Sequence, residues 1–225
     1  MIDNLSEIKA VIFDMDGVLF LSSDCHSKAY NEVLAGIGIQ NFFYASVAGM
    51  RTDDAMRKIL AENKRKISDD EIESLVKRKR KRAIELLEQE GMIANGGFEL
   101  VLCLRGRYRL ALVSSASPQT IAVFLRKIGY GDAFEFVLDG SFVKEAKPSS
   151  EIYQVALKML NLTPMECVVV EDAVSGVLAA RNAGIQVIAV LGTETSEKLF
   201  DVGAGYVASD LLELQSLLTG IDSEL

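Results

Sequence analysis

The chain has 225 residues, of which 49% are hydrophobic, and its formal net charge is −8. This length and apolar content suffice for a sizeable core, so the sequence predicts a globular protein. No stretch approaches the roughly 20 apolar residues of a membrane span. The first ten residues, MIDNLSEIKA, lack the basic and then apolar pattern of a secretion signal. We therefore expect a cytoplasmic protein that does not enter a membrane.

The histidine and cysteine content limits the metal sites and catalytic groups that the chain can have. The single histidine, His26, excludes a site built from several histidines. The three cysteines, Cys25, Cys103 and Cys167, lie far apart and have no spacing suited to zinc or to a redox pair, so we expect buried, reduced thiols. Catalysis, if present, must rest on carboxylates, hydroxyls and lysines.

The first predicted element is a strand, AVIFD (10–14). From residue 22 onwards the pattern of apolar residues changes. Apolar residues recur at helical spacing in DCHSKAYNEVLAGIG (24–38), TDDAMRKILAENKRK (52–66) and SDDEIESLVKRKRKRAIELLEQE (68–90). The last segment opens with Ser68 three residues before Glu71, a capping-box pattern, and closes at Gly91. Residues 22–94 hold 13 basic and 12 acidic side chains, whereas the remainder holds 11 and 20. A helical insertion over 22–94 is predicted.

Beyond the insertion, short apolar runs alternate with helical segments. The predicted strands are RLALVSS (109–115), FEFVLDG (134–140), CVVVEDA (167–173), QVIAVLG (186–192) and GYVASD (205–210); the helices are PQTIAVFLRKIG (118–129), SSEIYQVALKML (149–160) and VSGVLAARNAG (174–184). This alternation is typical of a parallel sheet covered on both faces. The predicted fold class is α/β, a Rossmann-like core (1–21 and 95–225) with an inserted all-helical cap domain (22–94).

Ligands of such sheets bind outside the carboxyl ends of the strands, so the residues that follow each strand carry the functional information. These are Asp14 and Asp16 after the first strand, Ser114 and Ser115 after the second, and Glu171 and Asp172 after a later one. Lys147, next to Pro148, supplies a cation that could reach the same crevice. Carboxylates, hydroxyls and a lysine suit a phosphoryl group and Mg²⁺, which binds few carboxylates together with water and phosphate oxygens. Phosphoryl transfer is the predicted chemistry.

Each of these residues also has a purely structural interpretation. The two serines could cap the helix that begins at Pro118, and Lys147 could be an ordinary surface lysine. Four motifs in a fixed order argue against this: DMDGV (14–18), VSSAS (113–117), KP (147–148) and VVVEDAVSGVLAARNAG (168–184). With a helical insertion between the first two, the chain resembles the haloacid dehalogenase-like hydrolase superfamily, in the branch that contains phosphoglycolate phosphatase, sugar-phosphate phosphatases and β-phosphoglucomutase.

The resemblance implies a role for each core residue. Asp14 would attack phosphorus and become an aspartyl phosphate, and Asp16 would serve as the acid and base. Gly17 would let backbone amides approach the phosphate. Ser114 and Lys147 would bind the phosphoryl group, with Ser115 also contacting substrate.

The same resemblance implies the ligands of a metal ion. Asp172, with Glu171 beside it, would hold Mg²⁺ together with the Asp14 carboxylate and the Asp16 main-chain carbonyl. Glu171 could instead support the site without touching the ion.

In the cap, three residues are candidates for substrate binding. His26 stands ten positions after Asp16, as in β-phosphoglucomutase-like sequences, although a lone histidine on a helix is often structural. Arg51, in GMRTDD, resembles a cap-loop residue that contacts a second polar group of the substrate. Lys77 opens the run KRKRKR (77–82), which is either the solvated side of a helix or a source of one lysine for an anionic substrate.

The leading prediction is a Mg²⁺-dependent phosphatase acting on a small phosphorylated metabolite, which the resemblance implies is a sugar phosphate. A sugar phosphomutase that uses the same aspartyl phosphate is the first alternative, and a non-catalytic phosphate-binding or interaction module is the second. Two positions depart from the common family pattern, Leu21 and Ala173, and they affect substrate identity more than activity. The low isoelectric point predicts no nucleic-acid partner. A monomer or weak homodimer is expected.

Overall fold

A computed structural model of the chain describes residues 5–220. The strands are β1 (Ala10–Phe13), β2 (Phe20–Leu21), β3 (Met92–Ile93), β4 (Arg109–Val113), β5 (Phe136–Leu138), β6 (Cys167–Glu171), β7 (Gln186–Val190) and β8 (Tyr206–Ala208). The α-helices are α1 (Ser23–Ala35), α2 (Thr52–Glu62), α3 (Asp69–Glu90), α4 (Gly97–Leu104), α5 (Pro118–Ile128), α6 (Glu151–Leu160), α7 (Val174–Asn182), α8 (Ser196–Asp201) and α9 (Leu211–Thr219).

Six strands form one parallel sheet in the order β5-β4-β1-β6-β7-β8. Because side chains alternate along a strand, each strand contributes to two apolar clusters, one on each face. In β1, Val11 and Phe13 pack with α4, α5 and α9, whereas Ala10 and Ile12 pack with α6 and α7. The α/β, Rossmann-like fold class predicted from the sequence is confirmed.

Helices α1, α2 and α3 lie between β2 and β3 in the chain and share an apolar cluster of their own, which includes Tyr30, Met56 and Val76. The capping box at Ser68 and Glu71 is present, and α3 ends before Gly91 as predicted. The two connections between this helical unit and the sheet pair with each other, because β2 and β3 form a short antiparallel ribbon. The segment predicted as all-helical therefore contains one strand of that ribbon, β3. The division at residues 22–94 stays a prediction.

Among residues 5–220, we find no helix with both the length and the apolar character needed to cross a bilayer.

Candidate active site

Asp14 directly follows β1 and lies in the interior of the protein. Its main-chain nitrogen donates to the carbonyl of Val170 in β6 at 2.9 Å, and its side chain is buried. Three residues later Gly17 has a φ of +84°, and a Cβ at this position would lie 1.9 Å from the Oδ2 atom of Asp172. Glycine is thus required here both for the turn and for the close approach of Asp172.

A buried ion pair links three of the predicted site residues. The Lys147 Nζ atom lies 2.5 Å from Oδ1 of Asp14 and 2.6 Å from Oε1 of Glu171, and the lysine side chain is fully buried. Tyr153 donates to the same Oε1 at 2.9 Å, and the main-chain nitrogen of Asp172 donates to Oε2 at 3.1 Å. Glu171 is therefore occupied on both oxygens, and its main contact in the site is with Lys147.

The charges in this cluster do not balance. Asp14, Glu171 and Asp172 each offer an oxygen within 4.8 Å of the others, and all three are buried. Burial and the neighbouring Glu171 raise the pKa of Asp14 well above its usual value, against the effect of Lys147. The same two causes raise the pKa of Asp172 to about 8. Burial lowers the pKa of Lys147, but Asp14 and Glu171 outweigh it, so the lysine stays charged.

Burial and mutual repulsion of the carboxylates raise these pKa values, and a bound cation would favour the ionised forms. An all-oxygen set of few carboxylates, drawn together around a small space, suits a hard divalent cation. Asp14 and Asp172 have the carboxylate oxygens to offer, because both oxygens of Glu171 already accept hydrogen bonds. The residues present therefore fit Mg²⁺.

Asp16 lies on the other side of this cluster and has different neighbours. Its Oδ1 atom accepts a hydrogen bond from Ser22 at 2.5 Å and lies 3.4 Å from Nε2 of His26, while Ser114 donates to Oδ2 at 3.4 Å. Burial raises the pKa of Asp16, but the contacts with His26 and Ser22 outweigh it, so the net pKa is lowered. The two aspartates of DMDGV thus differ: one pairs with a lysine, the other with a histidine and hydroxyls.

The histidine in turn contacts a lysine that the sequence did not single out. Lys79 on α3 is buried, and its Nζ atom lies 3.0 Å from Nδ1 of His26 and 4.2 Å from the centre of the Tyr30 ring. When Lys79 carries its proton its ammonium group can only donate, so Nδ1 accepts and the histidine proton is assigned to Nε2, facing Asp16. Burial lowers the pKa of Lys79 to about 7. Lys79, His26 and Asp16 form a continuous hydrogen-bonded chain from the cap to the sheet.

The interpretation of Lys77 as the cleft-facing lysine is wrong. Its side chain is 71% exposed and pairs with Glu73 one turn earlier at 2.6 Å. Two residues along an α-helix correspond to a rotation of about 200°, so Lys77 and Lys79 point to opposite sides of α3. Sequence periodicity could have found the right lysine, because Lys79 lies in register with Val76 and Ala83, three and four residues away, on the buried stripe.

Arg51 also differs from its predicted role. Its guanidinium group donates to the carbonyls of Val143 at 3.1 Å and Lys144 at 2.8 Å, and its Nε atom donates to Asp54 at 3.0 Å. The side chain bridges the helical unit and a loop after β5, and it borders a pocket beside Ser115 instead of the cavity at Asp14. The donors that the prediction gave to a substrate are taken by main-chain oxygens.

A cavity of about 40 Å³, partly open to solvent, lies between the helical unit and the sheet. Its walls include Asp14, Asp16, His26, Lys79, Ser114 and Ser115. The helix cap that the serines could have provided comes from Ser117, which accepts from the main chain of Thr120. A space of this size holds no more than a few water molecules.

A family model described as a haloacid dehalogenase-like hydrolase matches residues 8–184. The chain belongs to the haloacid dehalogenase-like hydrolase family. The matched range starts just before β1 and ends just after α7, so it includes the buried cluster of Asp14, Lys147 and Asp172 as well as the helical unit. Membership in this hydrolase family confirms the expectation of an enzyme.

Relatives of this hydrolase cover nearly its whole length. The phosphorylated carbohydrates phosphatase of Thermotoga maritima is 30% identical over 201 residues, which are 88% of this chain and 92% of that protein. The beta-phosphoglucomutase of Bacillus subtilis is 27% identical over 192 residues, covering 81% of this chain and 83% of that protein. The crystal structure of CbbY from Rhodobacter sphaeroides in complex with phosphate is similar with a TM-score of 0.79 at 27% identity, covering 92% of this chain and 96% of that one.

Proposed function

We propose that this hydrolase is a Mg²⁺-dependent phosphatase of a small phosphorylated carbohydrate, and that it works through an aspartyl phosphate on Asp14. The observation that carries the proposal is the buried contact of Asp14 with Lys147 at 2.5 Å, at the wall of a cavity that Asp16 shares. A phosphatase and a mutase of phosphorylated sugars among the relatives support the substrate class.

In the first step, a carboxylate oxygen of Asp14 forms a bond to phosphorus while the bond to the substrate oxygen breaks. The leaving oxygen takes a proton from Asp16. In the second step, water attacks the aspartyl phosphate, Asp16 takes a proton from that water, and phosphate leaves with Asp14 restored. Lys147 stabilises the charge that gathers on the phosphoryl oxygens, and the Ser114 hydroxyl donates a hydrogen bond to one of them.

Asp16 must carry a proton when the substrate oxygen leaves, yet its lowered pKa keeps it ionised at rest. The chain of Lys79, His26 and Asp16 provides that proton, because its donors point in the required direction. His26 would pass its Nε2 proton to Asp16 and receive one at Nδ1 from Lys79. The ring nitrogens lie 3.4 Å from the carboxylate and 3.0 Å from the ammonium, within reach of transfer after a small closure.

The carboxylates of Asp14 and Asp172 and the main-chain carbonyl of Asp16 would hold Mg²⁺, with Glu171 supporting them. When bound, Mg²⁺ would offset the negative charge of Asp14 and of the phosphoryl group as they approach each other. This assignment follows the alternative in which Glu171 lies behind the ion site.

The helical unit would act as a lid. Movement of this unit away from the sheet would break the contacts of Arg51 with Val143 and Lys144 and widen the cavity at Asp14. Closure would then exclude bulk water and bring His26 and Lys79 back to Asp16.

A sugar phosphomutase remains the second candidate. The contact of Asp16 with His26, which Lys79 contacts in turn, favours it, since it ties the acid and base to closure of the lid, when a bound sugar and not water is the acceptor. In this case the aspartyl phosphate would return its phosphoryl group to another hydroxyl of the sugar.

The test is ³¹P NMR of the purified enzyme with Mg²⁺ and a panel of sugar phosphates and phosphoglycolate. The panel includes β-glucose 1-phosphate with a trace of the bisphosphate. A growing signal of free phosphate supports the phosphatase, and a migrated phosphate signal supports the mutase. Turnover that is unchanged when EDTA replaces Mg²⁺ would contradict the metal dependence, and no turnover of any sugar phosphate would contradict the substrate class.

Replacing Lys79 by Met should lower kcat/KM about 100-fold, a typical contribution of one proton-transfer group. Methionine fills similar volume against Tyr30 but cannot donate to His26. The matched control is Lys77→Met, on the same helix and exposed, which should stay within about twofold of the wild type. Steady-state kinetics of the two variants decide the question. Equal losses in both, or none in either, would remove Lys79 from the mechanism.

The role of Lys79 also predicts a pH dependence. Because burial lowers the pKa of Lys79 to about 7, the ammonium is present below that pH and lost above it. Since the neutral amine has no spare proton to pass on and no charge for an anionic substrate, kcat/KM should fall as the pH rises from about 7 to 9. The Lys79→Met variant should lack this decline. A decline of the same size in the variant would assign it to another group.

A further inference from the structure

Asp172 differs from the other buried carboxylates of the site in how its side chain is held. Asp14 and Glu171 contact the ammonium of Lys147, whereas Asp172 accepts a hydrogen bond from the neutral hydroxyl of Thr193. Thr193 lies 21 residues later in the chain, in the loop LGTET that follows β7. A side chain from the neighbouring strand's loop thus reaches across the sheet edge to Asp172.

Thr193 forms its hydrogen bond with only one of the two carboxylate oxygens of Asp172. Thr193 Oγ1 donates to Oδ2 of Asp172, and that same oxygen faces the backbone of Gly17, where a Cβ would lie 1.9 Å away. Oδ2 is therefore confined between a glycine and a hydroxyl. Oδ1 is the oxygen left for a cation, and the hydrogen bond to Oδ2 sets its direction.

We propose that Thr193 is a positioning residue for the divalent cation: its hydroxyl fixes the Asp172 carboxylate in the orientation that binds the ion. The inference rests on the proposed function, since it concerns the same cation. Groups that hold a metal-binding carboxylate from behind contribute about 10- to 100-fold to metal affinity. Thr193 would act at the lower end of this range, because it supplies one hydrogen bond and touches neither substrate nor ion.

The surroundings of Thr193 determine which substitutions can test the role of its hydroxyl. Its side chain is half-buried and borders an open pocket of about 440 Å³ together with Gly17, Leu21 and Phe43. Valine is close to threonine in size but has a methyl group in place of the hydroxyl, so Thr193→Val removes the hydrogen bond and puts an apolar group against Oδ2 of Asp172. Thr193→Ser keeps the hydroxyl and removes a methyl group.

The same loop offers a matched control. Thr195 caps α8, where its hydroxyl accepts from the main-chain nitrogen of Lys198. Thr195→Val should therefore lower the melting temperature without changing cation affinity. Comparing Thr193→Val with Thr195→Val therefore distinguishes a general effect on the loop from a specific effect on Asp172.

The experiment is Mn²⁺ binding to the metal-free full-length enzyme, measured by loss of the free-ion EPR signal and repeated with Mg²⁺ as competitor. We expect Thr193→Val to raise the Kd about 10-fold. Thr193→Ser and Thr195→Val should stay within about twofold of the wild type, a span too small for loss of a group that holds a metal ligand. In phosphate-release assays, Thr193→Val should need more Mg²⁺ for half-maximal rate and reach the wild-type kcat at saturation.

Several outcomes would overturn the inference. A Thr193→Val variant that binds Mn²⁺ like the wild type, or a Thr193→Ser variant as weak as Thr193→Val, would contradict the role of the hydroxyl and leave the phosphatase proposal intact. Wild-type enzyme that binds no Mn²⁺ would overturn the cation site itself and the inference with it. Circular dichroism checks folding, and Thr193→Ala, which creates no new contact, replaces the valine variant if that one is not native.

Discussion

Asp14→Asn should abolish phosphate release, with kcat falling by at least about 10⁴-fold, as expected when a covalent nucleophile is lost. The amide has the size of the carboxylate but cannot form the aspartyl phosphate. Because Glu171 remains 2.6 Å from Lys147, the buried ammonium keeps an anionic partner in the variant. The substitution also removes one of the mutually repelling carboxylates, whose pKa is raised by burial and by Glu171. The variant should therefore melt at or slightly above the wild-type temperature.

Phosphate release and thermal unfolding of the same preparation test both halves of this prediction. The control is Asp132→Asn, which removes an exposed carboxylate paired with Arg105 and should change neither quantity measurably. A stable Asp14→Asn variant with more than about 1% of wild-type turnover would rule out a covalent route through Asp14, since removal of such a nucleophile costs far more than 100-fold. An unfolded variant would instead show that folding requires Lys147 to be paired with both Asp14 and Glu171.

The sheet could be predicted from the sequence because its four inner strands, β4, β1, β6 and β7, are almost wholly buried. Runs such as AVIF and CVVV leave no polar residue facing water, and each of the six predicted runs contains one strand of the six-stranded sheet. Burial on both faces makes such a run unusually clear in sequence. Parallel pairing brings the residues after β1, β4 and β6 to one edge, so the order of the strands alone predicts that Asp14, Ser114 and Asp172 lie near one another.

Elements without a strong pattern were missed. The ribbon of β2 and β3 has only two residues in each strand, too few for an alternation to be recognised. The helices α4, α8 and α9 have six to nine residues, and α4 is apolar on almost every side, which gives no helical period. Packing against the sheet and not local sequence specifies these elements.

The cap residues were the hardest to place because side-chain direction depends on helix phase. Within KRKRKR every residue is basic, so charge cannot distinguish Lys77 from Lys79, and only the spacing to Val76 and Ala83 does so. Thr193 left no signal of its own, since one hydroxyl in a polar loop is common. Arg51 was expected at the substrate, and the nearby main-chain carbonyls that occupy it follow from tertiary structure alone.

Lys147→Met should have the largest effect on stability, lowering the free energy of unfolding by about 3–5 kcal/mol near neutral pH, the usual cost of leaving a buried charge without its partner. The fully buried ammonium separates Asp14 from Glu171, and methionine leaves those two carboxylates facing each other. Without that positive charge, Asp14 can relieve the repulsion by binding a proton, which raises its pKa further above the unfolded value. Such a group stabilises the fold below its unfolded pKa and loses that contribution as the pH rises. The deficit of the variant relative to the wild type should therefore grow from pH 5 to pH 8.

Chemical denaturation of wild type and variant across this pH range measures the effect, with exposed Lys144→Met as the control lysine from the same loop. The double variant Lys147→Met/Glu171→Gln separates stability from catalysis. The glutamine amide oxygen can still accept from Tyr153, so removing the second charge should recover a large part of the lost stability. It should recover no activity, because the cation that stabilises the phosphoryl oxygens is still absent. Recovered turnover in the double variant would show that Lys147 only holds the carboxylates apart. A stability deficit of Lys147→Met that does not change with pH would show that the variant is destabilised by lost packing and not by the lost charge.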